Sequence, residues 1–144
     1  MPKHERSTDE LLNEIKQTHE IEKFIKNNSG EFTDKPLHEM LNELIVNRKL
    51  KKSEVIKGSG LNRVYAYQIL SGKKMPSRDK LIAFCFGLQL DVDETNSLLK
   101  SVGLPVLYAR NKRDSIIIYA INSGKSVFIT NNLLFENKFE ILTT

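Results

Sequence analysis

The sequence predicts an all-α protein, and three observations support this fold class. Apolar residues recur three and four positions apart along most of the chain, which is the spacing of one helix face. Ser, Asp or Asn stands where these segments begin, and glycine or proline follows where they end. The composition, 40% hydrophobic and 28% charged over 144 residues, is typical of a soluble globular protein. We expect one helical domain with appendages.

Residues 1–35 are predicted to form an N-terminal helix and a linker. Ser7 and Glu10 have the spacing of a capping box, and apolar residues between positions 11 and 25 recur at roughly helical spacing. One helix over 7–28 is therefore expected, in spite of a polar gap at 16–20. Turn-forming residues at 27–30 end this helix, and residues 31–35 read as a short polar linker.

Residues 36–103 are predicted to form five helices. Proline suits the first position of a helix, where its missing N–H costs nothing. Serine, asparagine and aspartate are good N-caps for the later helices. The predicted starts are, in order, Pro36, Lys52 or Ser53, Asn62, Ser77 or Asp79, and Asp91. A glycine lies between the second and third helices, and Gly103 followed by Pro105 ends the fifth.

The third of these helices, over 62–71, has one apolar and one polar face. Gly60 supplies a tight entry turn, Asn62 caps the start, and Gly72 permits a positive φ at the exit. The spacing predicts that Leu61, Tyr65 and Ile69 point inward. The residues left on the outer face are Arg63, Val64, Tyr67, Gln68 and Ser71.

The positive charge of the chain is concentrated around this helix. Residues 36–80 contain ten Lys and Arg against four Asp and Glu, a net +6. Residues 1–35 carry a net −2, and residues 81–144 carry no net charge. Because neutralising phosphates supplies most non-specific affinity for nucleic acid, this segregation favours a polyanion-binding face.

The segment from Lys52 to Leu88 resembles the lambda-repressor-like (xenobiotic-response-element, XRE) DNA-binding domain. The features shared with that family are the glycine between its second and third helices, Gly-Lys-x-x-Pro-Ser at 72–77, and Gly87-Leu88 at the end of the fourth helix. The resemblance covers about residues 36–103. It implies a five-helix lambda-repressor-like helix-turn-helix domain that binds double-stranded DNA as a homodimer.

The resemblance also implies roles for individual residues. Base edges would be contacted by Arg63, Val64, Tyr67 and Gln68. Phosphates would be contacted by Lys52, Asn62, Ser71, Lys73, Lys74 and Arg78. Lys52 departs from the family, which usually has glutamine there, and a lysine orients a phosphate less well. Leu70 stands where the family often has a charged residue. It is an unexplained apolar position, and a contact with a partner is one explanation for it.

Residues 104–144 are predicted to be a mostly helical extension that serves as a dimerisation or partner surface. Asn111 with Asp114 can cap a sixth helix over 115–123, and Ser126 can cap a seventh. The β-branched residues at 116–118 and 127–130 also permit two strands. Helices are preferred because caps and glycines match helix ends.

Several classes of protein and of site are not expected. The chain has no apolar run near 18 residues and no secretory signal, so we expect no membrane span and a cytoplasmic protein. Its single cysteine, Cys85, fits a reducing compartment and is expected to be buried. His4, His19 and His38 lie far apart, so no metal site is expected. With no catalytic motif present, we expect no enzyme and no cofactor.

The sequence is thus interpreted as a sequence-specific DNA-binding transcriptional regulator, most simply a repressor, whose helix 62–71 enters the major groove. The alternative from another class is a protein-interaction module, such as an antitoxin or adaptor, that uses the same fold and holds a partner protein through residues 104–144.

Overall fold

The structure is a computed structural model that describes residues 6–28 and 35–144. Over these residues the chain folds into nine α-helices and no strand, which confirms the all-α class. Two compact units are present, residues 1–35 and residues 36–144. In the described ranges, no helix has both the length and the apolar character needed to cross a membrane.

The N-terminal unit contains two helices where one was predicted. α1 spans Thr8–Gln17 and α2 spans Ile21–Asn27. Ser7 caps α1 as expected, accepting from the Glu10 N–H at 3.1 Å. The prediction of one helix over 7–28 is wrong because Thr18 is extended and its hydroxyl hydrogen-bonds locally to the backbone of Glu20.

An ionic cluster connects the two N-terminal helices. Arg6 donates to Glu14 and, at 2.7 Å, to Oδ1 of Asn28, and the Asn28 amide donates back to Glu14 at 3.2 Å. The hydrogen bond from Arg6, assisted by the one from Asn28, lowers the pKa of the Glu14 carboxyl. The predicted linker over 31–35 and the turn residues at 29–30 lie almost wholly outside the described residues, as does His4.

The second unit begins with five helices that match the predicted starts. They are α3 Leu37–Asn47, α4 Lys52–Ser59, α5 Arg63–Leu70, α6 Arg78–Gly87 and α7 Val92–Ser101. Side chains cap three of them as expected: Asn62 for α5, Ser77 for α6, and Asp91 with Glu94 in a full capping box for α7.

Helices α4 and α6 approach each other closely through glycine. A Cβ on Gly87 would lie 2.2 Å from the Val55 carbonyl oxygen, and a Cβ on Gly58 would lie 3.2 Å from the Gly87 Cα. Gly87 is therefore needed for packing as the last residue of α6. The residue with a positive φ after this helix is Gln89, at 59°, and not Gly87.

The last two helices complete the same hydrophobic core. α8 spans Lys112–Asn122 and α9 spans Val127–Glu136, so the alternative of two strands is wrong. Asn111 and Ser126 cap them as predicted. The buried residues of α9 recur at helical spacing, and they are Val127, Thr130 and Leu134. Val127 and Leu134, together with Ile117, share a hydrophobic cluster with the fully buried α6 residues, so 104–144 packs as part of the unit 36–144.

Candidate nucleic-acid interface

The inner side of α5 fixes this helix in the core. Ala66, Ile69 and Leu70 are buried, and the Asn42 amide donates to the Leu70 carbonyl at 2.9 Å. Leu70 is only 5% exposed, so the expectation that it contacts a partner is wrong. It lies at i+4 from Ala66, and it therefore belongs to the buried stripe of the helix.

Tyr65 divides the two faces of α5. Its ring is half-buried against the core, while the Lys80 ammonium lies 4.6 Å from the ring centroid. This distance is that of a cation–π contact, which keeps the ring in place beside the first turn of α6. The predicted inward position of Tyr65 is therefore only partly right, whereas Leu61 and Ile69 are buried as expected.

The outer side of α5 carries the four residues predicted to contact bases. Arg63 and Val64 are exposed, Val64 to 67%, Tyr67 is exposed as well, and Gln68 is half-buried. The Arg63 guanidinium lies 5.7 Å from the centroid of the Tyr67 ring, one helical turn away. This contact orients the guanidinium along the helix surface without neutralising its charge.

Most residues predicted to contact phosphates lie at the two ends of this surface. Asn62 is exposed at the start of α5, where its side-chain oxygen accepts from the Tyr65 N–H at 3.1 Å. At the other end, the Ser71 hydroxyl donates to the Gln68 carbonyl at 3.1 Å. The backbone N–H groups of Lys73 and Lys74 donate to that same carbonyl, at 2.9 and 3.2 Å.

The loop after α5 is shaped by Gly72. Its φ is +83°, and a Cβ at this position would lie 2.8 Å from Nδ1 of His38. The chain therefore turns tightly at the end of α5 with the His38 ring packed against it. This turn keeps Lys73 and Lys74 close to the exposed face of the helix, and both side chains are exposed.

The cations around α5 have no acidic partner among the described residues. Lys52, at the first position of α4, is exposed, as are Arg63, Lys73 and Lys74. In the described ranges, no acidic side chain forms an ion pair with any of these four residues. They are therefore available to an external anion.

Arg78 has a different environment from the other predicted phosphate contacts. Its guanidinium donates to both carboxylate oxygens of Asp114 and to the backbone carbonyls of Pro105 and Val106. Four hydrogen bonds within the chain use most of its five donors. A phosphate contact from Arg78 stays a prediction, since these bonds would compete with it.

The described residues provide little for a metal or for thiol chemistry. They contain no group of three or more His, Cys, Asp or Glu side chains arranged to hold a metal ion. Cys85 is buried in α6, as expected, and burial raises the pKa of its thiol to about 12. At neutral pH this thiol is therefore protonated and shielded from reagents.

Two residues that border this surface were missed by the sequence analysis. Lys57 on α4 and Phe128 on α9 line a groove of about 440 Å³ together with Arg63 and Tyr67. Phe128 lies 50 positions or more along the chain from every predicted contact. No local pattern connects it to α5, so only the packing of α9 could reveal it.

No protein-family model, no curated protein and no solved structure matches the chain.

Proposed function

We propose that this protein is a sequence-specific binder of double-stranded DNA that inserts α5 into the major groove and acts as a transcriptional repressor. The observation that carries the proposal is the exposed face of α5, where Arg63, Val64 and Tyr67 stand on a helix held rigidly by its buried side. The likeness of residues 36–103 to the lambda-repressor-like family, in which the five helices α3–α7 would form the DNA-binding domain, supports the same function.

The side chains on this face have the chemistry needed to read base edges. A guanidinium such as that of Arg63 can donate two hydrogen bonds to O6 and N7 of guanine. The Gln68 amide can make a two-bonded contact with adenine, and Val64 can pack on a thymine methyl group. Lys52, Lys73 and Lys74 are point charges suited to phosphates on either side of the groove.

The proposed assembly is a homodimer on a two-fold operator. Several large apolar side chains on α8, α9 and the segment before them remain exposed in the single chain, and they would form the dimer or partner surface. These residues are Val106, Tyr108, Tyr119, Ile129 and Phe135. Exposed aromatic residues of this size are enriched at protein interfaces.

The same exposed residues favour a second candidate, a protein-interaction module of the antitoxin or adaptor type. Phe135 is 75% exposed, more than any other large apolar residue in the described ranges. Such a side chain is typical of an interface anchor. In this alternative, the partner protein would bind to α8 and α9.

One experiment separates the two candidates. Duplexes selected from a random library are titrated with the purified protein by fluorescence anisotropy at several salt concentrations, beside a duplex of scrambled sequence. A DNA-binding regulator binds the selected duplex more tightly, and its affinity falls steeply with salt because counterions are released. Absence of salt-dependent binding at micromolar protein, together with a co-purifying partner protein, would instead establish the interaction module.

A further inference from the structure

The groove beside α5 has an apolar floor and a basic edge. Its floor includes Ile56 and Leu61, both buried, and its edges carry Lys57 and Arg63. The lining contains two cations and no acidic side chain. This arrangement is complementary to an anionic partner that also presents an apolar group.

Phe128 closes one side of this groove from outside the five-helix segment. It is the second residue of α9, and its ring is 56% exposed although it follows the fully buried Val127. A Cβ placed on Gly60 would lie 3.5 Å from Cε1 of Phe128 and 3.1 Å from Cγ1 of Val127. The start of α9 is thus packed on the turn between α4 and α5, which fixes the ring beside the start of α5.

A phenyl ring can make only a few kinds of favourable contact with duplex DNA. It offers no hydrogen bond to a base edge, and it carries no charge for a phosphate. The apolar group that the major groove presents is the C5-methyl of thymine, which side chains such as phenylalanine contact. Because Arg63 and Phe128 line the same groove, a duplex that meets Arg63 also passes close to the ring.

We propose that Phe128 is a specificity-determining residue that contacts a thymine methyl group next to the base pair met by Arg63. This inference rests on the proposed function of α5. It extends the reading surface from the helix-turn-helix segment to α9. The preferred duplex would accordingly contain a thymine that neither α4 nor α5 accounts for.

The test replaces each thymine of the selected duplex in turn with deoxyuridine, which removes only the methyl group. Affinities of the wild-type protein and of Phe128→Ala are measured by anisotropy for every substituted duplex. For the wild type, one substitution besides that of any thymine contacted by Val64 should weaken binding about fourfold, the effect of losing one buried methyl group. Phe128→Ala should bind the parent duplex about as weakly as the wild type binds that substituted duplex. Its affinity should not change further when uridine replaces that thymine.

Two further variants make the comparison specific. Val46→Ala removes another exposed apolar side chain, on α3 and outside the groove, and should keep the wild-type response at every thymine. Phe128→Gln keeps a side chain of similar reach beside Gly60 but replaces the apolar ring with a polar amide. It should show the same loss of affinity as Phe128→Ala, and it allows the test to be made if the alanine variant does not fold.

The outcomes separate this inference from the function on which it rests. If the wild type binds a selected duplex and its thymine scan matches that of Phe128→Ala or Phe128→Gln, the contact is refuted. A uniform loss for all duplexes without any thymine-specific change also refutes it. If the wild type shows no salt-dependent binding to any duplex, the proposed DNA-binding function fails instead.

Discussion

Arg78 and Asp114 join α6 to α8 through a two-bonded ion pair, with N–O distances of 3.1 and 2.9 Å. The two side chains are only 21% and 8% exposed. A second pair, Arg113 with Asp79, crosses between the same helices at 2.8 and 3.0 Å. Each helix thus contributes one arginine and one aspartate from adjacent positions in its first turn, and the two pairs are reciprocal.

Arg78→Ala is expected to destabilise the protein by about 2–4 kcal/mol, because Asp114 would stay buried without its charged partner. The free energy of unfolding is measured by urea denaturation. Lys112→Ala, an exposed position beside the pair, is the control and should change stability by less than about 0.5 kcal/mol. If Arg78→Ala kept full stability but bound DNA with a shallower salt dependence, Arg78 would act at a phosphate rather than in the fold.

Gly87→Ala should cost about 3 kcal/mol or more, since its methyl group would lie 2.2 Å from the Val55 carbonyl oxygen. Backbone, unlike a flexible side chain, cannot move away cheaply. The matched control is Gly124→Ala, where φ is +68° but no atom lies within 4 Å of the new methyl. That change should cost only about 1 kcal/mol of left-handed strain. Equal thermal midpoints for the two variants would contradict the close packing of α4 on α6.

Arg63→Ala and Lys73→Ala should weaken DNA binding in different ways. Removing Arg63 deletes a proposed base-reading group, so preference at one base pair should fall by about 1–3 kcal/mol. Removing Lys73 deletes a proposed phosphate contact, so the affinity for all duplexes should fall alike and the salt slope should decrease by about one. Affinities for the selected and scrambled duplexes at several salt concentrations distinguish the two patterns. Equal losses on both duplexes for Arg63→Ala would exclude base reading by that residue.

Cys85 should react with a thiol reagent at pH 8 only when the protein unfolds, because the thiol is buried and its pKa is about 12. Labelling should be slow in buffer and immediate in guanidinium chloride. Between pH 9 and 12 the unfolded chain loses this proton while the folded chain keeps it, so the thiol lowers stability as the pH rises. Cys85→Ala should not show this part of the decrease in folding stability at alkaline pH. Rapid labelling of the folded protein would contradict burial of the thiol.

The Arg6, Glu14 and Asn28 cluster should make the N-terminal unit sensitive to acid. The pKa of Glu14 is lowered in the folded chain from its usual 4.5, so its contribution is present above pH 4.5 and is lost as the pH falls through the lowered value. A carboxyl titration followed by NMR should give a midpoint for Glu14 below 4.5. Glu14→Gln should remove this transition from the amide signals of α1 and α2, and Glu22→Gln should leave it unchanged.

The helices of this protein were largely predictable because their ends are encoded locally. Ser7, Asn62, Ser77, Asn111 and Ser126 were each expected as caps, and each accepts a backbone N–H three residues later. The break between α1 and α2 was missed, since a capping pattern and a mean apolar periodicity do not register a hydrogen bond from Thr18 that competes with the helix. The β-branched run in α8 was ambiguous for a similar reason, and packing of Ile117 and Ala120 decided it.

The sequence by itself determined where the helices other than α2 begin. It also determined that Arg63 and the polar side chains of α5 belong to one face, because helix caps and a period of 3.6 act over a few residues. Only the tertiary structure decided which of the candidate residues are already engaged. It buried Leu70 in the core, bound Arg78 to Asp114, and brought Phe128 beside Arg63 from 65 positions away. These outcomes depend on contacts between distant segments, which no local spacing records.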